Sequence, residues 1–230
     1  MSFGVIFDMD GVIVRSEDAH WVSWRAVAAE RGIDLKYETF LSCFGRVNSD
    51  CIRIMLSEGI DDAESLRIAD RKEAAFRDAV RANVPLAIGT RELLASLRQA
   101  GALLAVGSSA PPENVALVLD AGHIREFFSA TVDGAQVKRG KPAPDVFLQA
   151  GEAIGISPAH CAVIEDAPAG IRAARAANMT AIGVATTHTE AQLFEAGAHA
   201  VLPELASLTP EIIRELIAKT QTGSAAHPRA

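Results

Sequence analysis

The chain has 230 residues, 49% hydrophobic and 5% aromatic, with a formal charge of -7 at pH 7. That length supports one sizeable core, or a core plus a small second module, and the excess of Ala, Val, Leu and Ile over aromatics suits helices and buried parallel strands. The acidic balance lacks the basic footprint of a nucleic-acid binder, and no run approaches the roughly 18 apolar residues of a membrane span. Asp8 and Asp10 interrupt the first apolar run, so it does not read as a secretory leader. Cys43, Cys51 and Cys161 match neither a zinc knuckle nor a redox pair and are expected as free, buried thiols in a cytoplasmic protein.

In chain order, residues 3–7 form the first strand-sized apolar run. Ser16 then offers a helix cap, with Glu17 and Asp18 in the first turn where the macrodipole favours negative charge. Trp21, Trp24 and Ala28 share a face of that helix, and Gly32 stops it. From about Glu17 to Asn83 the pattern is successive helices without a convincing strand, which reads as an inserted module ending where Pro85 and Gly89 break the period. Residues 90–100 form another amphipathic helix, with Leu93, Leu94 and Leu97 inward and Gly101 as terminator. Strand-sized runs follow at Leu103–Gly107, Ala130–Val132, residues 161–164, Thr180–Val184 and Ala200–Leu202. Because these runs are continuous and separated by helix-length segments, they predict an α/β fold with a parallel sheet covered on both faces. Residues 1–16 and 83–222 are assigned to the core, 17–82 to the helical module, and 223–230 to a disordered tail.

Ligands of an open parallel sheet bind outside the carboxyl ends of its strands. The first run ends in Asp8-Met9-Asp10-Gly11, the second in Ser108-Ser109, and the fourth in Glu165-Asp166. A carboxylate is a useful nucleophile when the electrophile is phosphorus, because the acyl phosphate it forms is itself readily cleaved. Asp8 suits that role, and Asp10 beside it suits general acid/base work. An anionic phosphate approaching Asp8 meets a repulsion of roughly 4 kcal/mol at 4 Å and an effective dielectric of 20. Magnesium held by Asp8 with Glu165 or Asp166 would offset it, with Lys141 as a second cation and Ser108 with neighbouring N–H groups for phosphate oxygens. Taken singly these features have plainer readings, a solvated acidic pair and a helix-capping serine pair.

In combination the residues resemble the haloacid dehalogenase-like hydrolase superfamily over nearly the whole chain. The signature D-x-D-G-[VT] stands as Asp8-Met9-Asp10-Gly11-Val12, followed in order by Ser108, Lys141 and Glu165-Asp166. The subgroup of β-phosphoglucomutase and small sugar-phosphate phosphatases is most similar, through Ser16-Glu17-Asp18-Ala19-His20 and then Trp24 at the entry to a cap. The resemblance implies a Rossmann-like core with an inserted α-helical cap. It implies an aspartyl-phosphate on Asp8, acid/base chemistry at Asp10, and phosphoryl binding by Ser108 and Lys141. It also implies magnesium held by Asp8, the main-chain carbonyl of Asp10, Glu165 and Asp166.

Substrate-binding candidates are His20, Trp24, Arg46, Ser108, Ser109 and Lys141, with Arg46 either facing a distal phosphate or carboxylate of the substrate or an exposed helix-flanking arginine, and His20 either a proton carrier at the hinge or a packed histidine. The second aspartate argues against dehalogenases and phosphonate hydrolases. Mutase-like members carry a pattern resembling G-V-x-R in the cap and a Lys-Asn pair after the serine motif. Here Gly45 is followed at once by Arg46, and Ala110-Pro111-Pro112-Glu113-Asn114 contains no lysine. The expected function is therefore a magnesium-dependent phosphatase acting on a small phosphorylated metabolite, as a monomer or weak dimer without nucleic-acid or membrane partners. A phosphomutase is the alternative, and a non-catalytic binding protein conflicts with the competent residues at every motif. Arg15 departs from the Asp common at its place.

Overall fold

Buried parallel strands need apolar side chains on both faces, and β1 (Gly4–Phe7) meets that requirement at every position. The computed structural model describes residues 2–57 and 59–223. After β1 come α1 (Glu17–Ala29), α2 (Tyr37–Cys43), α3 (Asn48–Met55) and α4 (Asp62–Val80), then α5 (Thr90–Gln99), β2 (Leu103–Gly107) and α6 (Pro112–Ala121). The remainder alternates β3 (Ala130–Val132), α7 (Asp145–Ala153), β4 (Cys161–Glu165), α8 (Pro168–Ala176), β5 (Thr180–Val184), α9 (Glu190–Glu195), β6 (Ala200–Leu202) and α10 (Pro210–Gln221).

The strands form one parallel sheet in the order β3-β2-β1-β4-β5-β6. Phe7 lies opposite Val106 on one side and Ile164 on the other, so three strands end at the same level. One face, with Val5 and Phe7, packs on Leu94 and Leu97 of α5, Val118 and Leu119 of α6 and Ile213 of α10. The opposite face, with Ile6, packs on Phe147 of α7, Ala174 of α8 and Leu193 of α9. The alternation of β1 between two cores makes it the spine of the sheet.

Helices α1–α4 have an apolar cluster of their own, built around Trp24, Val27, Phe40, Ile52 and Ile68, and no strand is described among them. The chain enters and leaves this segment at adjacent points, where Val14 bridges Leu86 and Arg15 N donates to Pro85 O at 2.8 Å. Along α4 the buried residues are Ile68, Lys72, Glu73, Phe76 and Val80, a single helix face that includes two charged side chains.

Two local expectations change. Ser16 sits at the N-cap of α1 but makes no cap hydrogen bond, because its hydroxyl is spent on Asp10. Ser108-Ser109 is not a capping pair either, since α6 starts beyond it at Pro112, where proline's fixed φ suits the first turn. Helix α10 runs to Gln221, and most of the expected tail, 224–230, lies outside the described residues. All three cysteines are free and buried. Among the described residues no helix is long and apolar enough to cross a membrane.

Candidate active site

The Asp8 amide continues the sheet ladder by donating to Ile164 O at 3.0 Å, which fixes Asp8 at the carboxyl end of the central strand. Lys141, on the loop between β3 and α7, reaches under it: Nζ lies 2.7 Å from Asp8 Oδ1 and 2.5 Å from Glu165 Oε1. Glu165 Oε2 accepts from the Ala167 amide at 2.8 Å. Asp166 Oδ2 accepts from the Thr187 hydroxyl, while Asp166 Oδ1 is buried without a partner. Asp8, Glu165 and Asp166 each present an oxygen such that these atoms lie within 4.8 Å of one another. All three are almost inaccessible to solvent.

Burial pushes Asp8 up to about 7 although Lys141 opposes the rise, and Glu165 and Asp10 add to it. Asp166 is likewise pushed well up, by burial first and then by Glu165 and Asp8. For Lys141, burial works against the charge, but Asp8 and Glu165 overcome it and hold the ammonium well above the usual lysine value. With all three carboxylates ionised they face one ammonium and lack two positive charges, and without a cation Asp8 and Asp166 hold protons instead. A hard divalent cation with oxygen ligands fits that deficit, and the partnerless Asp166 Oδ1 is the donor atom the protein leaves for it.

Ser108 is buried at the end of β2, where its amide bonds Val132 O at 2.9 Å and its Oγ accepts from the Ala110 amide at 3.1 Å. Ser109 turns the other way and donates to Gly45 O at 3.1 Å, tying the loop to the α2–α3 connection.

Asp10 is held by the α1 end of the helical segment. Ser16 Oγ donates to its Oδ1 at 2.5 Å, and His20 Nε2 lies 3.0 Å from the same oxygen. Burial would raise the Asp10 carboxyl, but His20, Ser16 and Lys72 together hold it below the ordinary carboxylate value. His20 stacks on Phe76 with centroids 4.0 Å apart and receives Lys72 Nζ at Nδ1, 2.8 Å away.

A cavity of about 50 Å³ connects Asp8, Asp10 and Ser108 on the sheet side with Trp24, Arg46 and Asn48 on the helical side. Trp24 is buried, with Lys72 Nζ 5.3 Å from its ring. The half-buried Arg46 guanidinium makes no hydrogen bond or ion pair among the described residues. Of the candidates named from the sequence, Asp8, Asp10, His20, Trp24, Arg46, Ser108 and Ser109 line this cavity, and Lys141, Glu165 and Asp166 cluster with Asp8 at its floor. Sequence reasoning missed Thr187, Lys72, Glu73, Asn48 and Asn114, and it gave Ser16 a different job.

The metal-ready carboxylates, the buried lysine and the paired aspartates at the rim of a parallel sheet define a phosphoryl-transfer α/β hydrolase, and the chain belongs to the haloacid dehalogenase-like hydrolase family, which its residues 4–178 match. Among similar proteins, β-phosphoglucomutase of Bacillus subtilis is 31% identical over 218 residues, covering 92% of this chain and 93% of the relative. Fructose-1-phosphate phosphatase of Escherichia coli is 31% identical, covering 79% of this chain and 95% of the relative. The crystal structure of β-phosphoglucomutase from Clostridium difficile superposes with a TM-score of 0.85 at 27% identity, covering 95% of this chain and 98% of that one.

Proposed function

We propose that this hydrolase removes phosphate from a small phosphorylated metabolite of the sugar-phosphate class. Asp8 Oδ attacks phosphorus, forming an aspartyl-phosphate and releasing the alcohol, and water then cleaves that intermediate. Asp10 gives a proton to the leaving oxygen in the first step and regains one from water in the second, so it enters each turnover protonated although Ser16 and His20 favour its carboxylate in the free enzyme. Lys141 and Ser108 hold phosphoryl oxygens, and Ser109 fixes the loop between them and the helices. Asp8, the Asp10 carbonyl, Glu165 and Asp166 would hold magnesium. When bound, magnesium neutralises the negative charge of the phosphoryl group as it meets the nucleophile. Residues 17–82 serve as the cap over the core of 1–16 and 83–222, with His20, Trp24 and Arg46 on its substrate-facing wall. The setting is the cytoplasm, and the chain acts as a monomer or weak dimer.

The observation that carries this reading is the meeting of Asp8, Lys141 and a partnerless Asp166 oxygen in one buried cluster. Water as acceptor is favoured because Gly45 runs directly into Arg46 and the stretch Ala110–Asn114 after Ser109 holds no lysine. A relative named β-phosphoglucomutase keeps transfer to a second sugar phosphate as the other reading. Incubation with a panel of sugar 1-phosphates and magnesium separates them. Inorganic phosphate is the expected product, and an isomerised sugar phosphate without phosphate release would overturn hydrolysis.

A further inference from the structure

The face of α4 that turns toward the sheet rim carries Lys72, 2% exposed, and Glu73, 4% exposed, at positions where an amphipathic helix places apolar residues. Buried charges of this kind are rare unless paired, and a pair often stabilises less than hydrocarbon of the same volume. Both oxygens of the Glu73 carboxylate are engaged. Oε1 accepts from Lys72 Nζ and from Asn48 Nδ2, each at 2.8 Å, and Oε2 accepts from Asn114 Nδ2 at 2.6 Å. Asn114 belongs to α6 and is completely buried, and its own orientation is fixed because Oδ1 accepts from Arg77 Nη1 at 3.0 Å.

The donor directions then follow in series. Arg77 sets the amide of Asn114, so Asn114 must present N–H to Glu73. Glu73 draws the Lys72 ammonium into place, and Lys72 donates its next proton to His20 Nδ1. With Nδ1 an acceptor, the imidazole carries its proton on Nε2 and donates it to Asp10. Asn114 is the member of this series that comes from the sheet-packed helices; Lys72, Glu73 and Arg77 come from α4, and His20 from α1. The Asp10 carboxylate beyond His20 and the Cys51 thiol also feel the Lys72 charge.

We propose that Glu73 is a positioning residue for the reaction: by anchoring Lys72 against Asn114 it fixes the His20 tautomer, so that the acid/base carboxylate Asp10 is oriented only while α4 is docked on α6. This rests on the role given to Asp10 above. Glutamine at position 73 has the same shape but a single acceptor oxygen, so either Asn114 or the Lys72–Asn48 side faces an N–H it cannot accept from. Asn114→Leu breaks the series at its sheet-side end.

The test is long-range proton–nitrogen NMR of His20 in the full chain, measured for the parent, Glu73→Gln and Asn114→Leu, alongside magnesium-dependent phosphate release. The parent imidazole is expected in the Nε2–H form, and both variants are expected to shift toward Nδ1–H. Their kcat should fall roughly tenfold to a hundredfold, the range a misplaced catalytic group costs, with KM changing far less. An unchanged tautomer in Glu73→Gln overturns the proposal, and so does a loss of activity traced wholly to a lower melting temperature. If the parent releases no phosphate from any monoester, the proposed function fails, and the tautomer spectra still decide whether Glu73 orients His20.

Discussion

Gly11 and Asp166 compete for one volume: a Cβ added to Gly11 would stand 1.9 Å from Asp166 Oδ2. Gly11 also has a φ of +79°, in the left-handed region that side chains disfavour. Gly11→Ala should therefore both strain the turn, by about 1–3 kcal/mol, and push the Asp166 carboxylate off Thr187. The expected result in thermal melts is a lower midpoint and a loss of the magnesium-induced rise. A variant that melts and responds to magnesium like the parent would contradict this.

Asp8→Asn removes the attacking oxygen and keeps the shape. Phosphate release should drop by roughly 10³-fold or more, with an unchanged circular dichroism spectrum. Residual turnover near the parent rate would remove Asp8 from the role of nucleophile.

The pH dependence of stability without metal has a definite sign. Asp8 is raised from 3.8 to about 7 by burial, then by the neighbouring carboxylates, against Lys141. Over that window the folded state holds more protons than the unfolded state, so this group's contribution is complete below pH about 4 and is lost as pH rises through about 7. The raised Asp166 carboxyl acts in the same sense. Melting of metal-free protein should fall between about pH 5 and about pH 8, and magnesium should raise the midpoint more at the higher pH. Equal magnesium shifts at both values would count against the charge deficit at the carboxylates.

Lys141→Met leaves Asp8 and Glu165 facing each other without their ammonium. Breaking a buried pair in this way costs about 3–5 kcal/mol, and the urea midpoint should move accordingly. A midpoint within error of the parent would show that Lys141 does not balance the cluster.

Arg46→Ala should raise KM by roughly tenfold or more, the effect of losing one charged hydrogen bond to substrate, with kcat and melting nearly unchanged. A fall in kcat at constant KM would assign Arg46 to the reacting end instead.

Much of this site was legible because its parts are local. Asp8, Asp10 and Gly11 sit together in sequence, and each strand's apolar run is continuous, so the carboxyl ends of β1, β2 and β4 were identifiable. What escaped notice depends on long-range meetings. Ser16 has the residue type and position of a cap, and only the fold brings its hydroxyl to Asp10. Thr187 follows β5, a strand whose end has no charged motif to draw attention. Lys72 did leave a trace: it falls four residues after Ile68 and four before Phe76, on the apolar stripe of α4, where a lysine has no reason to be unless it has a partner. Asn114 leaves none, since a helix tolerates asparagine near its start for ordinary reasons.

The position of β1 between β2 and β4 also ranks the molecule by resistance to solvent. Amide protons of Val5 to Phe7 are enclosed by a ladder on each side and a hydrocarbon layer above and below, so isotope exchange there waits for global unfolding. Helices α1–α4 touch this framework through a narrow two-strand crossing at Val14 and Leu86 and a few side-chain bonds. Deuterium should therefore enter them much earlier, through openings that leave β1 untouched.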